Sequence, residues 1–125
     1  MLDTHAFLWW ITDDPRLSLK VRDLIADGQN ELFLSAASAW EIAIKAQIGR
    51  LHLSDKPDVL IPDQLSRNSI QALPIHFRHA LHVFDLPNHH RDPFDRMIIA
   101  QAELENLPII SSDKIFNQYG VEVVW

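Results

Sequence analysis

The 125-residue sequence contains no cysteine, which removes disulfide frameworks and thiolate chemistry and fits a reducing cytoplasm. Glycine is nearly as scarce: Gly28, Gly49 and Gly120 are the only ones, too few and too scattered to form the Gly-rich turn of a dinucleotide-binding motif. No apolar run approaches the roughly 20 residues that cross a bilayer, so no membrane association is expected. A secretory leader is not expected either, because Met1 leads at once into Asp3 with no basic segment. Cations are outnumbered, 11 Lys and Arg against 17 Asp and Glu, and the net charge of −6 argues against gripping nucleic acid by bulk electrostatics. That objection weakens if the acids gather around cations, since two divalent ions would bring the formal sum to about −2. What is present is a 47% hydrophobic chain with no repeat and no Gly/Ser linker, read as one domain over residues 1–125.

Apolar periodicity and turn residues divide the chain into alternating strands and helices. Met1 to Thr4 reads as the tail of a strand. Helices are expected over His5 to Ile11 and Leu19 to Ala26, separated by Asp13-Asp14-Pro15. Glu31 to Ser35 reads as a strand and Ala36 to Ile48 as a helix ended by Gly49. Arg50 to Pro62 is the least regular part, followed by a helix over Asp63 to Asn68, a strand over Ile70 to Leu73 and a helix over His76 to Phe84. Asp92-Pro93 opens the next helix, because Pro is tolerated where an N–H would be orphaned anyway. Met97, Ile98, Ala100, Leu104 and Leu107 carry it to Pro108, and Leu107 to Ile110 has the short, partly β-branched composition of a strand covered on both faces. A helical turn at Lys114 to Asn117 and a strand at Val121 to Trp125 close the chain. This alternation implies an α/β fold with a parallel sheet and helices on both faces.

Each acid in the pattern has a structural role open to it. Glu41 has capping-box spacing from Ser38 and could pair with Lys45 one turn on. Asp92 and Asp95 straddle a helix start, where the macrodipole favours carboxylates. Asp3 and Asp113 could each cap a short helix. Their common placement says more: Asp3, Glu41, Asp95 and Asp113 each follow an expected strand or sit early in a helix near one sheet edge, so folding should bring them together. Carboxylates converging in one pocket raise each other's pKa unless a cation neutralises them. An all-oxygen donor set without cysteine favours Mg²⁺ or Mn²⁺ over zinc.

With these motifs in this order, the sequence resembles the PIN-domain ribonucleases, and more closely the VapC-type toxins of bacterial toxin–antitoxin pairs. The resemblance runs through LDTHAFLWW at 2–10, SAASAWEIAIK at 35–45, LPIHFRHALHVFDLP at 73–87, HHRDPFDRMIIAQA at 89–102 and SSDKIFNQYGVEVVW at 111–125. It implies a PIN-like three-layer α/β/α fold whose central parallel sheet has about five strands, the first truncated here to Met1-Leu2. It places the acid of the LDT motif at Asp3, the helix glutamate at Glu41, the acid of the DPFDR motif at Asp95 and the acid after the penultimate strand at Asp113, with Asp92 a secondary acid. It further implies Mg²⁺ or Mn²⁺, an RNA substrate, homodimers and a VapB-like antitoxin that covers the site. The SSD before Asp113 departs from a commoner TAD-like triplet, with little consequence expected.

The mechanism expected from such a site is metal-assisted hydrolysis of a phosphodiester by water, needing no Ser or His nucleophile. Thr4 and Ser111 are candidates to support the ligands from behind. Lys45, Arg91, Arg96 and Lys114 neighbour the acids in sequence and are candidate phosphate contacts, each with ordinary solvated charge as the alternative. His76, His79 and His82 repeat every third residue, a step that drifts around a helix and suits a shared zinc poorly, and no HExxH occurs. His90 is expected as a loop contact beside the acids. Trp9, Trp10, Trp40 and Trp125 could stack bases, but core or interface is the commoner use, and for Trp40 in particular the favoured one. Leu51 to Leu65 is a candidate partner surface, its alternative a loop packed on its own domain. An aspartate-nucleophile phosphatase would want an acid at position 5, which is His5. A PIN-fold binding module without catalysis and a metal-dependent DNA nuclease remain as other readings.

Overall fold

The computed structural model describes residues 1–125. The chain runs α1 (Thr4–Ile11), α2 (Leu19–Ala26), β1 (Leu32–Ser35), α3 (Ala36–Gln47), α4 (Pro57–Arg67), β2 (Ile70–Leu73), α5 (Phe77–His82), α6 (Pro93–Glu105), β3 (Ile109–Ile110) and β4 (Val123–Val124), with 3₁₀ turns at Val83–Asp85 and Lys114–Tyr119. β1 pairs parallel with β2, and β3 parallel with β4. Leu2 joins the two ladders, bridging to Leu34 on one side and Ile110 on the other. Its backbone N–H donates to the Phe33 carbonyl at 2.9 Å, and the Ile110 N–H donates to the Met1 carbonyl at 2.8 Å. The first strand is therefore a single bridging residue at the centre, and four strands proper surround it.

Side chains alternate across this sheet as strand geometry requires. Leu2, Leu32, Leu34, Ile70 and Ile110 face one way, onto Phe7 of α1, Val21 and Ile25 of α2 and Ile61 of α4. Met1, Phe33, Leu73 and Ile109 belong to the opposite core, with Ile98 and Ile99 of α6 and Phe116 of the last 3₁₀ turn. α3 contributes Ile42 to the first core and Ala37 to the second. The result is the three-layer α/β/α arrangement.

Several boundaries differ from expectation for local reasons. α4 starts at Pro57, a good first helical residue, and continues through Pro62, the residue after which the sequence pattern suggests a helix start. Ile61 is thereby drawn into the core, while Leu51, Leu53 and Leu65 pack against it, so most of the 51–65 segment serves its own domain. α6 stops at Asn106 in the left-handed conformation (φ 54°), two residues before Pro108. Ser38 is inside α3, whose cap is Ser35, so Glu41 belongs to no capping box. Trp40 lies edge-on against Phe94 and is 59% exposed, outside the core.

Candidate active site

Because the strands are parallel, Leu2, β1 and β3 release the chain at one edge, where crevices form in open α/β sheets. Three residues at or just beyond the ends of these strands become helix caps. Asp3 accepts from the Ala6 N–H at 2.7 Å, Ser35 from Ala37 at 3.0 Å and Asp113 from Ile115 at 3.1 Å. Asp92 caps α6, accepting from the Phe94 and Asp95 N–H groups at 2.9 Å each. The capping roles foreseen for Asp3, Asp92 and Asp113 are thus real. They hold one carboxylate oxygen each and fix where the acid stands.

Glu41 reaches the same edge from α3. It is buried, accepting from the Thr4 hydroxyl at 2.6 Å and the Lys45 ammonium at 2.7 Å. The Ser38 hydroxyl lies 3.0 Å from that of Thr4, which is free to accept from it. Asp95, in the first turn of α6, meets His90 Nε2 at 3.2 Å, and His90 Nδ1 lies 2.7 Å from the Tyr119 hydroxyl. Ser111 is buried beside Asp3 and its hydroxyl accepts from the Asp113 N–H at 3.0 Å. Thr4 thus contacts Glu41, and Ser111 contacts the turn that carries Asp113.

The carboxylates feel one another. Burial pushes Asp3 above the usual carboxylate range, helped by the charge of Asp113 and opposed by the Ser111 hydroxyl and the Ala6 N–H. Asp95 is pushed up to about 6, by burial first and then by the charges of Asp92 and Glu41, with His90 acting in the other direction. Asp3 adjoins Asp113, Asp95 adjoins Glu41 and Asp92, and Thr4 ties the Asp3 turn to Glu41. The acids singled out in the sequence thus fall into two interacting sets, Asp3 with Asp113 and Asp95 with Glu41 and Asp92, joined through the Thr4 hydroxyl on Glu41.

Hard oxygen donors whose charge is only partly offset, by Lys45 at Glu41, fit a divalent cation such as Mg²⁺. As the side chains stand, no three Asp, Glu or His groups are drawn to metal-ligand separation. The reason is visible: Glu41 is taken by Thr4 and Lys45, and Asp95 is turned to His90. Loading would require the Lys45–Glu41 pair to open.

Of the candidate phosphate contacts, Arg96 is corrected. It is buried and donates to the carbonyls of Pro87, at 2.8 Å, and of Val83 and Leu86, and to the Tyr119 hydroxyl at 3.2 Å. It knits the loop before α6 and cannot also serve a ligand. Lys45, about 40% exposed, is engaged with Glu41, while Arg91 and Lys114 are exposed. Tyr119, the only tyrosine, had no sequence signal, yet it holds both His90 and Arg96. His79 and His82 point away to Glu105 and Glu103, at 2.8 and 2.6 Å.

Comparison with known proteins gives three findings. The family model described as PIN domain matches residues 1–122. Ribonuclease VapC16 of Mycobacterium tuberculosis is 35% identical over 72 residues, 54% of this chain and 51% of that protein, so the chain spans about half the length of the curated relative it matches. Among solved structures, VapBC2 from Rickettsia felis, bound to a DNA fragment from its promoter, superposes with a TM-score of 0.73 at 15% identity, covering 99% of this chain and 96% of that one.

Proposed function

The chain belongs to the PIN domain family, and on that premise we propose that it is an Mg²⁺- or Mn²⁺-dependent endoribonuclease of the cytoplasm, the toxin of a toxin–antitoxin pair. The observation that supports this reading is the gathering of acids at one sheet edge, where burial first and then the charges of Asp92 and Glu41 bring Asp95 to about 6, and burial with the charge of Asp113 raises Asp3. Carboxylates so placed oppose folding unless a ligand compensates them, which makes a site of that kind a functional one.

In this reading Asp3, Glu41, Asp95 and Asp113 hold the ion, with Asp92 beside them. The ion supplies a lowered pKa for attacking water and compensation for charge developing on the phosphate oxygens. The chain's own residues do the positioning. Thr4 fixes the rotamer of Glu41, and His90, held by Tyr119, fixes that of Asp95. Ser111 steadies the turn that carries Asp113. Lys45, at the rim beside Glu41, and exposed Arg91 and Lys114 would meet the phosphates of the strand.

Two partners go with the reading. The solved neighbour is a VapBC complex, and we propose an antitoxin of the same kind here, covering the acid edge. We also propose a homodimer. Phe77, Leu81 and Phe84, on α5 and the 3₁₀ turn after it, are 90%, 72% and 93% exposed, large apolar side chains that a dimer interface would cover.

The test is cleavage of cellular RNA and DNA panels by wild type and Asp95→Asn with Mg²⁺. RNA is cut, a chelator abolishes cutting, and Asp95→Asn removes most activity while leaving the fold intact. Cleavage that survives both chelator and substitution ends the metal mechanism, and cleavage of DNA alone replaces the substrate.

A further inference from the structure

The largest cavity of the molecule, about 600 Å³, lies between α1 and the segment joining α3 to α4, outside the acid cluster but sharing a wall with it. Its size is that of a small-ligand site. Thr4 and Lys45 belong to both: each bonds Glu41, and each lines the cavity. The lining reverses the charge of the rest of the chain. Arg16, Lys45 and Arg50, with His5 and His52, face it against one acid, Asp14, already paired with Arg16 at 2.8 Å. Flat groups lie together along one wall. The Arg16 guanidinium stacks over Trp9 at 4.8 Å, and the His5 ring lies 5.7 Å from the same indole.

The geometry points to this cavity as a nucleotide subsite for the RNA strand next to the bond that is cut, a role that rests on the ribonuclease reading. A base stacks on the Arg16 or His5 plane, as unpaired RNA bases do on guanidinium and aromatic groups, and Lys45 and Arg50 take the adjoining phosphates. An RNA strand is favoured over an acidic polypeptide by two features: the planar surfaces, and the continuity through Lys45 with the acids at the scissile phosphate. Lys45 then faces the strand from the junction of the two sites.

The test measures binding of a labelled single-stranded RNA to the full chain carrying Asp95→Asn, alone and with Arg50→Glu. Arg67→Glu on α4 makes the same charge change outside the cavity. Arg50→Glu is expected to weaken binding about tenfold and to flatten the salt dependence by about 0.7 to 1 in slope, with Arg67→Glu changing affinity less than about twofold. In the cleaving background Arg50→Glu raises KM and leaves kcat. Equal effects at Arg50 and Arg67, or none at Arg50, overturn the subsite, and an acidic polypeptide as the occupant would give that second result. Wild type that cuts RNA with KM unchanged by Arg50→Glu removes the subsite alone, whereas wild type that neither binds nor cuts RNA removes the ribonuclease reading and the subsite together.

Discussion

Replacing Asp95 by Asn should stabilise the metal-free protein while inactivating it. Asp95 is pushed from the usual 3.8 to about 6 by burial and by Asp92 and Glu41. A raised carboxyl pKa means the folded state holds its proton more tightly than the unfolded chain. The two states are alike below about 3.8, and the ionised group costs the fold progressively more until the pH passes about 6. At full value that cost is about 3 kcal/mol. Since 24% of the side chain still meets water, screening reduces it to about 1–2 kcal/mol. Asn keeps the shape without the charge, so at about pH 8 the variant should melt about 3 to 10 °C higher than wild type. The gain should fade to nothing near pH 4. Saturating Mg²⁺ should raise wild type by about 2 to 3 kcal/mol and the variant by less, narrowing or reversing the gap. Thermal melts followed by circular dichroism across that pH range, with chelator and with Mg²⁺, read all of this. A variant that melts at or below wild type at pH 8, or a gain equal at both ends of the range, would refute the electrostatic reasoning behind the site.

Three other substitutions test the geometry. Ser35→Ala removes the cap of α3 and leaves the buried Gln101 oxygen, now 2.5 Å from the Ser35 hydroxyl, without its donor, so urea unfolding should show a loss of about 1–3 kcal/mol; a loss under about 0.5 kcal/mol would mean the pair is dispensable. Arg96→Met should cost about 3 kcal/mol or more, since it strips a charged donor from four carbonyls and Tyr119; a variant as stable as wild type but weak in RNA binding would restore Arg96 as a phosphate contact. The paired substitution Phe77→Ser and Phe84→Ser should leave the melting temperature of the monomer within about 2 °C, because both rings are solvent-facing, while sedimentation shows dimer turning to monomer; unchanged mass excludes this face from the homodimer.

The local rules were legible where one residue decides them. Asp92-Pro93 opens α6, Gly49 closes the α3 turn at φ 77°, and Asp3 and Asp113 cap the helical segments that begin at Thr4 and Lys114. The alternation of strands and helices determined the layered fold, and with it the edge at which the acids stand. Where two local rules competed, the sequence misled. Pro62 reads as a helix boundary, yet Pro57 five residues earlier already supplies a start and Ile61 between them is needed in the core. Trp40 reads as core or interface by type, and the fold removes only the first: its helix turns Ile42 and Ala37 inward and leaves the indole outside against Phe94.

What the chain order alone determined is the candidate site: which carboxylates sit past strands or early in helices, and hence which ones parallel pairing carries toward one edge. The tertiary structure decided their surroundings. Arg96 lies beside Asp95 in sequence yet is consumed by carbonyls of the preceding loop, while Tyr119, distant in sequence, comes to hold His90 against that same acid. Backbone periodicity acts over a few residues and can be read along the chain. Hydrogen-bond partners, burial and the charge one carboxylate feels from another depend on through-space separations, and those exist only once the helices have packed on the sheet.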